Sequence, residues 1–158
     1  HVPLKKISKL ISINKIVNHV KLIKKFYKKN FNKNPIIAIT GLNPHCESNQ
    51  KNNEEKKIII PAIRYLNKKN SFKVSGPYPT DSLFMTNNIK KFDVVIGMYH
   101  DQVLTPIKSL YGFDAINITL GLPFIRISPD HGPNDKMKGK NKSNPNSLIS
   151  AIKFLETQ

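Results

Sequence analysis

Residues 35–45 read PIIAITGLNPH, from Pro35 to His45, and this stretch decides the fold class. PIIAIT is a continuous apolar run, the pattern of a parallel strand buried on both faces. Gly, Asn, Pro and His then end the strand and put polar side chains at its exit. Two other stretches repeat the arrangement. DVVIGM (Asp93 to Met98) runs into YHDQ (Tyr99 to Gln102), and AINITL (Ala115 to Leu120) runs into GLPFIRISPDHG (Gly121 to Gly132). In open α/β sheets, ligands bind just beyond the carboxyl ends of the strands. Histidines at these exits predict one shared site. His beside Asp predicts a divalent metal or acid–base chemistry.

Helical patterns separate these strands. Ile13, Ile16, Val17, Val20, Ile23, Phe26 and Tyr27 follow helical spacing, with Ser12 as the expected N-cap, and His19 falls just off the stripe. A second helix is expected over 53–69, with Glu54 and Glu55 in its first turn and Pro61 kinking it or delaying its start. Phe72 to Ser75 reads as a short strand ended by Gly76, Pro77 and Pro79, with Asp81 capping a short helix at 82–84. Gln102 to Leu110 is expected to be helical but broken at Pro106. Phe124 to Ser128 reads as a further strand, residues 134–146 as a mobile Lys/Asn-rich loop, and Ser147 to Leu155 as a closing helix. Strands alternating with helices predict an α/β fold with a mostly parallel sheet flanked by helices.

Composition bounds the function. The 158 residues suffice for one domain with its own core. No apolar run reaches the roughly 20 residues that span a bilayer. No signal-peptide stretch opens the chain. The single Cys46 excludes an internal disulfide and points to a reducing cytoplasm. The net charge of +16 raises the question of nucleic acid. Only Arg64 and Arg126 are arginines, however, and the lysines are scattered among Asn and Ile, which share AT-rich codons. A solvated lysine surface is therefore the preferred reading, with no nucleic-acid partner and no membrane. The chain opens on His1 and not on Met, which predicts a processed N-terminus or a piece of a longer protein.

His45 and His100 carry weak signals singly, and no HExxH or CxxC motif supports them. Their shared position at strand exits favours a functional reading over two structural histidines. Asp81 and Asp101 could orient imidazoles or handle protons, although from composition a plain helix cap is the preferred reading of Asp81. Arg126 runs against the lysine bias, which points to bidentate recognition of a phosphate or carboxylate or to a salt bridge. His131 reads as a turn residue paired with Asp130, and Cys46 as a small buried residue. Lys108 by itself is uninformative in so Lys-rich a chain. No GxGxxG or Walker loop marks a nucleotide site, so no cofactor-binding residue is assigned.

Taken together, GLNPH, the Glu54–Glu55 pair before an apolar helix, GPYPTDSLF, MYHDQ, a Lys eight residues after that His, and NITLGLPFIRISPDHG resemble the 4-hydroxythreonine-4-phosphate dehydrogenase family of pyridoxal phosphate biosynthesis. The resemblance runs nearly end to end and covers the C-terminal half of that family's chain. It implies a two-domain architecture like that of isocitrate and isopropylmalate dehydrogenases. It also implies NAD- or NADP-dependent oxidation of a phosphorylated hydroxy-amino acid, whose keto-acid product loses carbon dioxide. A divalent ion (Zn, Mg or Co) would be held by His1, His45 and His100. Substrate contacts would fall on Lys108, Asn117 and Arg126, and the important carboxylates on Asp81 and Asp101. A homodimer with a shared active site is implied as well.

The resemblance breaks after His45, where the family's small residues are replaced by Cys46-Glu47-Ser48. It breaks again at Val103, where the family has Gly, and at Pro133-Asn134. Two alternatives therefore stay open: a truncated, non-catalytic remnant that keeps the metal site, and a related dehydrogenase of phosphorylated sugar acids. The 158 residues alone are expected to be inactive.

Overall fold

The computed structural model describes residues 2–47, 53–68, 72–133 and 135–157. The chain divides into two units, one up to Leu104 and one from Thr105. In the first, α1 (Ile7–Leu10) and α2 (Ile13–Phe31) precede β1 (Ile36–Thr40). A wide π-turn over Glu55–Ile59 then leads into α3 (Ile60–Asn67), followed by β2 (Lys73–Tyr78), α4 (Thr80–Leu83), α5 (Thr86–Ile89) and β3 (Val94–Ile96). Helix α6 (His100–Tyr111) crosses the boundary. The second unit continues with β4 (Ile116–Thr119), β5 (Arg126–Pro129) and α7 (Asn146–Glu156).

The first unit is built on a parallel sheet of order β2-β1-β3. Strand β1 is central, and Ile37, Ala38 and Ile39 are at most 1% exposed, as a run apolar on both faces requires. Helix α2 buries Ile16, Val17 and Val20 against it, and α3 contributes Ala62, Ile63 and Leu66 to the same core. Ser12 caps α2 by accepting from Lys15 N at 3.3 Å. Part of the lysine excess covers apolar surface: Lys24 Nζ lies 4.6 Å from the centre of the Phe72 ring.

The amino ends of β1 and β3 are pinned by Asp93. Its backbone N–H donates to Ile36 O at 2.9 Å, and its carboxylate accepts from Ile36 N at 2.8 Å and from Lys33 Nζ at 2.5 Å. The Ile36 bond first, and Lys33 second, hold this carboxyl below its usual pKa.

Four expectations need correction. Strand β2 does not stop at Ser75 but continues through Gly76 and Pro77 to Tyr78, with a register irregularity opposite Ala38 and Thr40. An edge strand tolerates Pro because its outer N–H needs no partner. Pro106 does not break α6, which runs on past it and begins two residues earlier than expected, at His100; a single missing amide donor is tolerated in a helix of this length. Asp81 is not a cap: Pro79 occupies the N-cap of α4 and Asp81 lies in its first turn. Pro61 is the second residue of α3, but helical backbone already runs from Glu54 through the π-turn, so Pro61 does not delay the helix start and the widened turn lies just before it.

Residues 135–145 contain one 3-10 turn, Asp135–Met137, and no strand, while Asn134 lies outside the described residues. No helix among the described residues is long and apolar enough to cross a membrane.

Gly76 has φ of 132°, and a Cβ there would collide with the carbonyl oxygen of Ile39 on the neighbouring strand. Gly76→Ala is expected to destabilise the protein by more than the roughly 1–3 kcal/mol of backbone strain alone. Urea unfolding followed by circular dichroism checks this, and an unchanged midpoint would contradict it.

Candidate functional site

The exit of β1 is held by a buried carboxylate. Glu55, 1% exposed, accepts from Leu42 N and Asn43 N at 2.8 Å each through Oε1, and from Asn43 Nδ2 at 2.9 Å through Oε2. Burial pushes its pKa up, but the bonds from the Asn43 backbone, the Asn43 side chain and Leu42 outweigh it, and the net shift is downward. The chain then turns sharply. His45 and Cys46 are consecutive left-handed residues, at φ 54° and 59°, a conformation uncommon outside glycine. A Cβ on Gly41 would come within 2.7 Å of Cys46 Sγ, so glycine is needed where the turn folds back. Burial raises the Cys46 thiol pKa, and the residue is half-buried, not fully buried as expected.

The exit of β3 is tied to that of β1 by Gln102. Its Oε1 accepts from Thr40 Oγ1 and from Met98 N, both at 2.7 Å, and its Nε2 donates to Gly41 O at 2.6 Å. Gln102 is buried, whereas its neighbours His100 and Asp101 on the first turn of α6 are exposed. His100 Nδ1 lies 2.6 Å from Asp101 Oδ1. With the proton on Nδ1, the carboxylate orients the ring and leaves the acceptor lone pair on Nε2, the tautomer that suits a metal ligand.

A cavity of about 330 Å³ opens at these exits, lined by Asn43, His45, Thr80, Asp81, Tyr99 and Gln102 among others. The structure thus brings together His45 and Asp81 and sets His100 and Asp101 at the same carboxyl end of the sheet. Among the described residues, no three His, Cys, Asp or Glu side chains form a metal-sized cluster. His1 lies outside the described residues. The donor chemistry fits a divalent ion: two imidazoles at one sheet end, one of them oriented by a carboxylate, and an aspartate in the adjoining cavity. The sequence places Glu55 in the first turn of a helix and Gln102 at the end of YHDQ, and assigns a role to neither side chain. Neither its type nor its spacing distinguishes a buried polar tie from a solvated side chain.

In the second unit β4 and β5 pair antiparallel, with Asn117 opposite Ser128 and Thr119 opposite Arg126. These four alternate positions share one face, and Ile116, Ile118 and Ile127 share the other. Arg126 is therefore the first residue of a strand and does not follow one; its guanidinium donates to Thr119 Oγ1 at 2.8 Å. Lys108 forms an ion pair with Asp130 at 3.0 Å. His131 is not paired with Asp130: its Nδ1 lies 3.2 Å from Gly132 O. The third strand exit thus belongs to an antiparallel hairpin and not to the parallel sheet that carries His45 and His100. Asn117 and Arg126 come to one face, and Lys108 is held by a carboxylate.

Comparison with known proteins places these features in a family. The family model described as "Pyridoxal phosphate biosynthetic protein PdxA" matches residues 1–155. The 4-hydroxythreonine-4-phosphate dehydrogenase of Sulfurihydrogenibium sp. is 44% identical over 98% of this chain and 48% of its own. That of Aquifex aeolicus is 41% identical over 99% of this chain and 48% of its own. The crystal structure of the Klebsiella pneumoniae 4-hydroxythreonine-4-phosphate dehydrogenase superimposes with a TM-score of 0.82 at 32% identity, over 100% of this chain and 49% of its own. The chain spans about half the length of the curated relatives it matches. It belongs to the PdxA family and corresponds to the C-terminal half of its members.

Because the folded-state pKa of Glu55 is depressed, its contribution to stability is present above the ordinary carboxylate range and is lost as pH falls through the folded value. Glu55→Ala would leave the Leu42 and Asn43 amides without their acceptor, at a cost on the order of 3 kcal/mol. Glu55→Gln is expected to flatten the loss of stability on acidification. Denaturation midpoints of the three proteins at acid and neutral pH test both statements, and a Glu55→Gln profile as steep as the parent's would contradict the assignment.

Proposed function

We propose that the chain supplies the metal- and substrate-binding half of an NAD(P)-dependent 4-hydroxythreonine-4-phosphate dehydrogenase. In this reading 4-phosphooxy-L-threonine is oxidised to a 2-amino-3-oxo acid, which loses carbon dioxide to give 3-amino-2-oxopropyl phosphate on the route to pyridoxal 5′-phosphate. The observation that carries it is the pairing of His45 and Asp81 in one cavity, with the Asp101-oriented His100 at the same end of the sheet. Family membership supports the reaction class.

His45 and His100, with His1, would hold the divalent ion. Such an ion would supply stabilisation of negative charge on the substrate oxygen, and a nicotinamide cofactor would supply the hydride acceptor. Asp101 holds the His100 ring in one tautomer. Asp81 faces the cavity, where it can accept the hydroxyl proton. Arg126 and Asn117 would bind an anionic group from one face of the hairpin, Arg126 as a planar fork with its position steadied by Thr119. Lys108 adds a point charge once the anion competes with Asp130 for it. The reading takes a cytoplasmic homodimer as the working form.

Two outcomes test it. Calorimetric titration with a divalent ion is expected to give one site per chain, abolished in His100→Ala and weakened roughly 10–100-fold in Asp101→Asn. Equal affinity in the parent and His100→Ala would remove the metal assignment. In the full-length protein, Arg126→Lys is expected to weaken substrate binding about tenfold, or about 1.4 kcal/mol, by losing the fork while keeping the charge. Residues 1–158 alone are expected to form little NAD(P)H. Unaltered substrate affinity in Arg126→Ala would reduce this residue to a structural role.

A further inference from the structure

Helix α2 carries six lysines and no carboxylate. The helix gathers five of them on one side. Lys21, Lys24, Lys25, Lys28 and Lys29 stand three and four residues apart, the spacing of neighbours on a helical surface. Together with Phe72, which precedes β2, they line a groove of about 480 Å³. Lys21, Lys25, Lys28 and Lys29 are exposed, and none of the four forms an ion pair among the described residues. Lys28 Nζ donates to the neutral Asn32 Oδ1 at 2.7 Å. Like charges at these spacings destabilise a helix. The helix dipole offsets this only within the last turn, where Lys28 and Lys29 stand; Lys21, Lys24 and Lys25 lie before it. The floor of the groove is apolar. The Phe72 ring packs against the core, Lys24 Nζ lies 4.6 Å from its centre, and lysine stems line the sides.

We propose that this lysine face is a docking groove for a short acidic segment of a partner protein, with one apolar side chain among its carboxylates. Lys21 to Lys29 covers about 12 Å of helix axis, the length of about four residues of extended chain. Ammonium groups along that length complement a run of carboxylates, and the apolar floor takes the apolar side chain between them. Other occupants fit less well. Phosphate backbones are recognised best by arginine forks, and no arginine lines the groove among the described residues. The Phe72 face on which a nucleobase would stack is covered by Lys24. Phe72 is the one apolar side chain in the lining among the described residues, so a bilayer surface finds no row of aliphatic side chains to take up. A second copy brings the same net charge of +16 and is repelled.

Fluorescence anisotropy with the full-length protein and a labelled, amidated peptide, Glu-Glu-Phe-Glu-Glu, tests the proposal. Binding is expected to weaken at least about tenfold in Lys21→Glu/Lys25→Glu, and by as much when salt is raised from about 0.05 to about 0.5 M. Lys140→Glu/Lys142→Glu makes the same change in net charge at exposed positions outside the groove, and is expected to leave affinity within about twofold. Circular dichroism of both variants should match the parent, since every substituted side chain is exposed. Exchanging the peptide's Phe for Ser should weaken binding as well. No measurable binding of the peptide would overturn the proposal. Equal losses in the two double variants would also overturn it, because net charge and not the groove would then hold the peptide. Tighter binding of an oligothymidylate of the same charge, or of phosphatidylserine vesicles, would do the same, because nucleic acid or a lipid surface would then be the occupant.

Discussion

The carboxylate of Glu55 is the constraint on which the candidate site depends. It is buried, and among the described residues it forms no ion pair with a cation, a situation that ordinarily drives a carboxyl towards its neutral form. Here the donors are the backbone and side chain of the turn it organises, so the charge is stabilised only when that turn is folded. The π-turn at Glu55–Ile59 and the proline that opens α3 set where this side chain points. The strained left-handed pair at His45 and Cys46 persists because the residues just before it are clamped. A helix start on one side of the sheet thereby decides where an imidazole sits at the sheet's end.

Gln102 supplies the complementary tie. It fills three of its four hydrogen-bonding positions with Thr40, Met98 and Gly41, and so fixes the exits of β1 and β3 at one spacing. The residue after it, Val103, stands where the resemblance expects glycine. Its Cγ1 lies 2.5 Å from where a Cβ on Gly97 would sit, so the side chain occupies the room that Gly97 leaves. The substitution is accommodated by packing at the strand exit. With Asp93 holding the opposite ends of β1 and β3, three buried or half-buried polar side chains fix a small sheet whose strands are only three to six residues long.

What the sequence made legible follows period and punctuation. PIIAIT and DVVIGM are strands because an apolar run of that length between turn residues has few other uses, although only β1 is buried as expected while β3, at the edge of the described sheet, is half-buried; α2 is visible from its stripe and its Ser12 cap. Two long motifs also marked the positions of His45 and His100 at strand exits. The hidden parts depend on long-range partners. Asp81 looked like a cap because Asp before a short helix commonly is one, and only the fold shows Pro79 in that place. The continuation of β2 through Gly76-Pro77 is set by its neighbour Ile39, distant in sequence but adjacent in space, and local turn chemistry carries no trace of it. Arg126 was readable as an exception to the lysine bias, but its place on the same face as Asn117 required the hairpin register.

The two units are stabilised in different ways, and the difference bears on what each can do. In the first, apolar burial around β1 supports a set of satisfied buried polar groups, and no buried side-chain nitrogen or oxygen among the described residues lacks a partner. Such a framework holds ligand-bearing residues in place, as a metal centre requires. In the second, the residues assigned to anion binding sit on a hairpin fastened chiefly by Ser147 and the Lys108–Asp130 ion pair. A partly exposed ion pair contributes little to stability. Apolar contacts with α7 supply the rest, and the outer apolar side chains of α7 stay about half exposed. The first unit thus offers fixed positions for the side chains at its strand exits, whereas the face that carries Asn117 and Arg126 rests on a unit with little buried core.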